Sequence, residues 1–145
     1  MLAIGSDHAG YALKQHIIAY LRAQEVGFQD YGVSQGEAAD YPLAAQKVAQ
    51  AVAGGACARG IVLCGTGIGV SIAANKVRGI RAALCHDTFS ARMCRQHNDA
   101  NVLCMGERVV GAGLALDIVA AFLATGFEGG RHQRRVAMID DLENR

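Results

Sequence analysis

An α/β fold, specifically a three-layer α/β/α sandwich of Rossmann-like character around a five-stranded parallel sheet, is predicted by three features of the chain. Five short apolar runs alternate with segments of helical periodicity. The stretches between them are long enough for the crossover connections that parallel neighbours require. Over residues 61–75 a strand, a glycine-rich turn and a helix follow one another without a break. The 145 residues suit one domain, 1–145, with a sizeable core and no room for a second.

Taken in order, the run 2–6 ends in Ser6-Asp7-His8-Ala9-Gly10, which offers caps and a turn ahead of a helix expected over 9–26. Leu13, Ile17, Tyr20 and Leu21 share one face of that helix, and Gly27 is its expected stop. Residues 28–31 form a second strand and 33–39 a polar loop. Asp40-Tyr41-Pro42 opens a helix with proline in its first turn, closed by Gly54-Gly55. The third strand, 61–63, is apolar throughout, as a strand covered on both faces should be. A fourth strand is expected over 80–85, followed by a helix over 89–95 capped by His86-Asp87-Thr88. A fifth strand over 101–105, an apolar helix over 112–124 and a last helix over 131–142 complete the chain.

Composition narrows the class. Fourteen basic residues against 13 acidic leave no basic field for nucleic acid, and no apolar run is long enough for a membrane. With 52% apolar and only 19% charged residues, the chain fits a buried sheet and a subunit interface. The first residues carry no signal-peptide pattern, so the cytoplasm is the expected location. Five cysteines without a Cys-x-x-Cys pair read as reduced thiols, four of them (Cys57, Cys85, Cys94, Cys104) as small core residues. No histidines are paired at ligand spacing, so no metal is expected.

The stretch Cys64-Gly65-Thr66-Gly67-Ile68-Gly69 concentrates the chemistry. Glycines on alternate positions permit positive φ, so backbone N–H groups can form an anion-binding concavity at a helix start. The dinucleotide fingerprint would need glycine at Val70, and the ATP-type phosphate loop a Lys-Ser/Thr pair. A Cys-x5-Arg phosphatase would need arginine at Val70. What remains is a small-anion or oxyanion cradle beside a thiol, and the positive end of a helix favours the thiolate form of a nearby cysteine.

Ligands in open parallel sheets bind beyond the carboxyl ends of the strands. Asp7 and His8 stand there after the first strand, although Asp7 is as readily a helix cap. His86 and Asp87 follow the fourth. His97 and Asn98 follow a helix, so their loop starts from the opposite sheet edge. It either wraps round, or serves a neighbouring subunit, or is a polar loop without a role. Arg131 and Arg135 share a helical face after Glu128-Gly129-Gly130 and could clamp a phosphate, with Arg108 as a further candidate; a solvated basic face is the plain alternative.

Four motifs, Gly5-Ser6-Asp7-His8-Ala9-Gly10, Cys64 to Gly69 with Ile72-Ala73-Ala74-Asn75-Lys76, Arg95-Gln96-His97-Asn98-Asp99, and Gly129-Gly130-Arg131-His132-Gln133 with Arg135, together resemble the ribose-5-phosphate isomerase B family, over essentially the whole chain. That type belongs to a wider group with the galactose-6-phosphate isomerase subunits. The resemblance implies a cofactor-free aldose-ketose isomerase working through an enediolate. By it, Cys64 is the base between C1 and C2, His97 the ring-opening acid, and Thr66 a proton-shuttling aid. The backbone of Gly65, Thr66, Gly67, Ile68 and Gly69 would hold the oxyanion. Asp7 and His8 would contact the sugar, Asn98 would position it, and Arg131 and Arg135 would take the phosphate. Some members carry a Glu base where this chain has Val70, which leaves Cys64 as the consistent base here. The family is dimeric or a dimer of dimers with shared sites, which would answer the placement of His97. Ribose 5-phosphate is the first expected substrate, ahead of allose 6-phosphate and galactose 6-phosphate. A non-catalytic sugar-phosphate-binding module is the alternative from another class.

Overall fold

The structure, a computed structural model, describes residues 1–144. Five parallel strands, β1 (Leu2–Ser6), β2 (Phe28–Asp30), β3 (Arg59–Cys64), β4 (Ala82–Leu84) and β5 (Val102–Gly106), form one sheet in the order β2-β1-β3-β5-β4. The helices are α1 (Tyr11–Ala23), α2 (Tyr41–Ala53), α3 (Ile68–Ala74), α4 (Thr88–Gln96), α5 (Ala112–Ala124) and α6 (Arg131–Asp141).

Alternation along the central strands sends side chains to two separate cores. Leu2, Ile4, Ile61, Leu63, Leu103 and Met105 pack with α1, α4 and α5, whereas Ala3, Val62, Cys64, Val102 and Cys104 pack with α2 and α3. Both faces are therefore covered, which is why β3 is apolar at successive positions. Each fully buried Leu, Ile, Val or Phe contributes about 1.5–3 kcal/mol. The free cysteines are all buried, as the sequence leads one to expect for the four outside the motif.

Most boundaries shift by one or two residues from expectation, and the first helix and the fourth strand differ for identifiable reasons. The first helix begins as a 3-10 turn over His8–Gly10, and α1 ends at Ala23, short of Gly27. Glu25 adopts φ 56°, its N–H donates to the Arg22 carbonyl, and the Val26 N–H reaches back to the Leu21 carbonyl. That pair of bonds is a Schellman termination, here with glutamate in the position glycine usually takes. β4 is shorter than the strand expected over 80–85 because side chains replace part of the ladder at its start. The Asn75 amide bonds both the N–H and the carbonyl of Ala82, and Asn101 Oδ1 accepts from the Arg81 N–H.

Lys14 shares the inner face of α1 and is fully buried. Its ammonium donates to Asp30 Oδ1 at 2.9 Å and to the Val33 carbonyl at 2.6 Å, so the charge enters the core already paired. The bonds fasten the chain leading toward α2, whose first residue, Tyr41, faces the site. α6 stands outside both helical layers. Arg81 to Asp140 and Arg78 to Asn144 tie it and the 3-10 turn that follows it (Leu142–Asn144) to the β4 edge. No helix among the described residues is long and apolar enough to cross a membrane.

Candidate active site

A cavity of about 280 Å3 opens at the carboxyl ends of β1, β3 and β5, lined by Asp7, His8, Ala9, Tyr41, Cys64, Gly65, Thr66, Gly69 and Arg108. Seven of the expected site residues thus meet in one place. The segment after β4 is absent from it, because β5 and not β4 is the neighbour of β3. His86 instead accepts the Gly106 N–H through Nε2 at 3.0 Å, a structural bond that requires an unprotonated nitrogen. Burial holds its pKa below the ordinary histidine value, against the opposing pull of Asp87.

Cys64 is the last residue of β3 and only 4% exposed. The Gly67 N–H donates to its sulfur at 3.1 Å, a bond that strengthens as the thiol becomes a thiolate. Thr66 Oγ1 accepts from the Ile68 N–H at 3.2 Å, which leaves the hydroxyl proton free to be given away. Among the described residues the N–H groups of Gly65, Thr66 and Gly69 have no acceptor. The N–H groups of the turn are therefore divided: Gly67 serves the sulfur, Ile68 serves Thr66, and those of Gly65, Thr66 and Gly69 remain unpartnered among the described residues.

The three glycines answer three separate demands, and positive φ is only one of them. Gly67 alone is left-handed, at φ 78°, and it caps α3. A Cβ on Gly69 would lie 2.5 Å from the Tyr41 ring, and one on Gly65 would lie 3.4 Å from the Arg108 guanidinium. Those two glycines make room for side chains that approach from α2 and from the turn after β5. Gly67 and Ile68 belong to the turn without lining the cavity; Gly67 is buried and the Ile68 side chain is 52% exposed. Tyr41 was visible in the sequence only as part of a helix entrance. An aromatic residue at such an entrance on the ligand-binding sheet edge is the signal that could have marked it.

His97, Asn98, Arg131 and Arg135 lie elsewhere, gathered around the end of α4 and the start of α6. Asp99, at φ 47°, turns the chain there, and Arg95 braces the turn through Asp99 Oδ1 (2.8 Å), the Ala100 carbonyl (2.6 Å) and the Thr125 carbonyl (3.2 Å). The Glu128 N–H bonds the Gln96 carbonyl, which brings the α6 entrance against His97. The rings of His97 and His132 stack at 4.3 Å with planes 14° apart, and Glu128 Oε2 lies 3.5 Å from His132 Nε2. Burial, then His97, then the Arg131 guanidinium lower the His132 pKa; Glu128 opposes them and Arg135 adds to them. His132, part of a sequence motif but given no role from it, is the buried centre of this second cluster.

Ligand-capable atoms of His97, Glu128 and His132 fall within 4.8 Å of one another, close enough to suggest a cation site. The surroundings favour the opposite charge. Arg131 and Arg135 have no ion-pair or hydrogen-bonding partner among the described residues, and both act to lower the His132 pKa. Two unpaired guanidiniums beside the histidines concentrate positive charge on this surface.

The family model described as Ribose/Galactose Isomerase matches residues 2–139. Ribose-5-phosphate isomerase B of Escherichia coli (strain K12) is 52% identical over 144 residues, covering 99% of this chain and 97% of that one. D-erythrulose-4-phosphate isomerase of Pectobacterium atrosepticum is 46% identical over 144 residues, covering 99% and 95%. The structure of Clostridium thermocellum ribose-5-phosphate isomerase B superposes with a TM-score of 0.97 at 55% identity, covering 99% and 97%. With a matching family model over almost its full length and a five-stranded parallel α/β fold shared with that structure, the chain belongs to the ribose/galactose isomerase family.

Proposed function

We propose that the chain interconverts ribose 5-phosphate and ribulose 5-phosphate through an enediolate, with Cys64 as the base. The observation that carries this is the buried Cys64 sulfur, bonded by the Gly67 N–H and bordered by unpartnered N–H groups of the same turn. Because the cyclic sugar has no carbonyl, His97 first protonates the ring oxygen as its bond to C1 breaks, and the anomeric hydroxyl loses its proton to solvent to leave the C1 carbonyl. The Cys64 thiolate then takes the C2 proton, the electron pair forms the C1–C2 double bond, and the carbonyl oxygen becomes an oxyanion. Thr66 exchanges the proton between the two oxygens. Cys64 returns its proton to C1, and the C2 oxygen becomes the ketone.

General base catalysis supplies on the order of a hundred to ten-thousandfold in rate. A lost oxyanion donor costs roughly 3 kcal/mol in comparable sites. Asp7 and His8 hold the sugar, Asn98 positions it, and Arg108, Arg131 and Arg135 hold the phosphate, which keeps the reacting carbon over the sulfur.

The His97 cluster is supplied by a second copy of the chain, in a homodimer or a dimer of dimers. The exposed apolar side chains Ile68 and Ile72 on α3, with Tyr41 and Leu43 on α2, support this, since they border the cradle and would be covered by a partner. Cys64→Ala abolishes isomerisation of ribose 5-phosphate; turnover near the unaltered rate would remove Cys64 as the base. Unfolding together and refolding Cys64→Ala with His97→Ala restores about a quarter of the original activity if sites are shared, since half the dimers are mixed and each carries one intact site. No recovery would mean that each chain builds its own site. The relative named for D-erythrulose 4-phosphate makes substrate length the open variable. Comparing kcat/KM across four-, five- and six-carbon aldose phosphates tests the preference for ribose 5-phosphate.

A further inference from the structure

The turn that follows β5 is fastened to the cradle from both sides. Its backbone joins β3: the Glu107 N–H donates to the Cys64 carbonyl at 2.9 Å and the Arg108 N–H to the Gly65 carbonyl at 3.0 Å. Gly106 lets it come this close, since a Cβ there would lie 2.3 Å from the Thr66 carbonyl carbon. The Glu107 side chain then reaches in the other direction. Its Oε1 accepts the Leu13 N–H, in the first turn of α1, at 2.7 Å across 94 residues of sequence.

That bond closes a gap α1 leaves open. Its own N-cap residue is Gly10, which has no side chain to offer, while the Asp7 carboxylate is committed to the Gly10 N–H at 3.0 Å. An unpaired N–H in a first helical turn attracts a carboxylate both as a hydrogen-bond acceptor and as a negative charge at the positive helix end. Glu107 provides it from another element. The next residue, Arg108, lies over Gly65, and its side chain has no hydrogen bond to protein among the described residues. Its direction is set by the turn that carries it.

We infer that Glu107 is a positioning residue that aims Arg108 at the substrate phosphate by clamping the turn after β5 to the first turn of α1. The inference rests on the assignment of Arg108 as a phosphate ligand. Because the clamp also ends on the helix that begins beside Asp7 and His8, it sets the distance between the groups that hold the sugar and one of the three arginines that hold its phosphate.

The test compares Glu107→Ala, Glu107→Gln, Arg108→Ala and the double variant of Glu107→Ala with Arg108→Ala. KM for ribose 5-phosphate and competitive inhibition by inorganic phosphate are the readouts. Glu107→Ala raises both KM and the phosphate inhibition constant about tenfold, with kcat changed much less, as expected for one lost charge-assisted bond. Glu107→Gln keeps an acceptor oxygen at the same reach and restores most of the affinity. In the Arg108→Ala background, removing Glu107 adds no further loss, because it acts through that arginine.

Additive losses in the double variant, or a lower melting temperature with unchanged KM, would reduce Glu107 to a stability role and overturn the inference. If Arg108→Ala weakens phosphate inhibition while Glu107→Ala does not, the inference alone fails. If Arg108→Ala also leaves phosphate inhibition unchanged, the assignment of Arg108 fails and the inference with it. Should Glu107→Ala not fold, Glu107→Asp, which retracts the carboxylate by one methylene, carries the same comparison.

Discussion

The cradle around Cys64 and the cluster around His97 are held in opposite ways. Cys64, Gly67 and Gly106 are buried, sit at or beside strand ends, and are fixed by backbone bonds between β1, β3 and β5. His97, Arg131 and Arg135 sit at helix ends, and the two arginines are exposed and unpaired among the described residues. The first region is shaped in advance because the sheet makes any displacement costly. The second leaves its guanidiniums in water, which avoids desolvating charges that have no partner. A proton-transfer site needs the first arrangement, since misplacing a reacting group by about 1 Å can cost a hundredfold in rate. The phosphate clamp proposed for Arg131 and Arg135 would tolerate the second.

Substitutions should separate the two regions. Short of removing Cys64 itself, the largest effect is expected from Gly106→Ala, whose new methyl would collide with the Thr66 backbone. Overpacking of this kind costs about 1–3 kcal/mol, and the accompanying shift of Thr66 and Arg108 lowers kcat/KM about a hundredfold. Thermal unfolding and kinetics measured together check it. A variant with unchanged activity would show that the cradle is less rigid than its bonds imply.

Arg131→Ala and Arg135→Ala should behave differently. Each raises KM about tenfold through a lost charge-assisted phosphate bond and leaves the melting temperature within about 2 °C, since neither side chain has a partner to lose. A large drop in melting temperature for either would erase the distinction between the regions.

The smallest effect is a pH dependence common to both. His86 beside the cradle, facing Asp87 and the Gly106 N–H, and His132 in the cluster, facing His97, Glu128, Arg131 and Arg135, both have pKa values lowered by folding. The unfolded chain therefore binds more protons than the folded one as pH falls, so stability declines below the ordinary histidine value of about 6.5 and is fully present above it. Urea unfolding at pH 7.5 and 5.5 measures the loss, which should shrink in His132→Asn. A stability that rises on acidification would contradict the lowered pKa values of the two histidines.

Local order made much of this legible. Apolar runs and caps located five strands and six helices, because hydrophobic periodicity and turn chemistry act over a few residues. Where a boundary moved, a particular side chain intervened: Glu25 in the left-handed position that ended α1 early, or Asn75 and Asn101 substituting for ladder bonds at the start of β4. The glycines of the turn were recognised, but their uses were not. Nothing adjacent to Gly69 announces that the Tyr41 ring will fill the space above it.

The amino-acid sequence by itself determined the α/β class, the strand-turn-helix at Cys64 and the residue types available for the chemistry. Each depends on neighbours along the chain. Only the tertiary structure decided that β5 lies beside β3, so that Arg108 and not His86 faces the cavity, and that Glu107 caps the first turn of α1 at Leu13, 94 residues earlier. It also decided that His132 stacks on His97. Strand order and long-range capping follow from how whole layers bury their faces, a global balance of packing that no local pattern encodes.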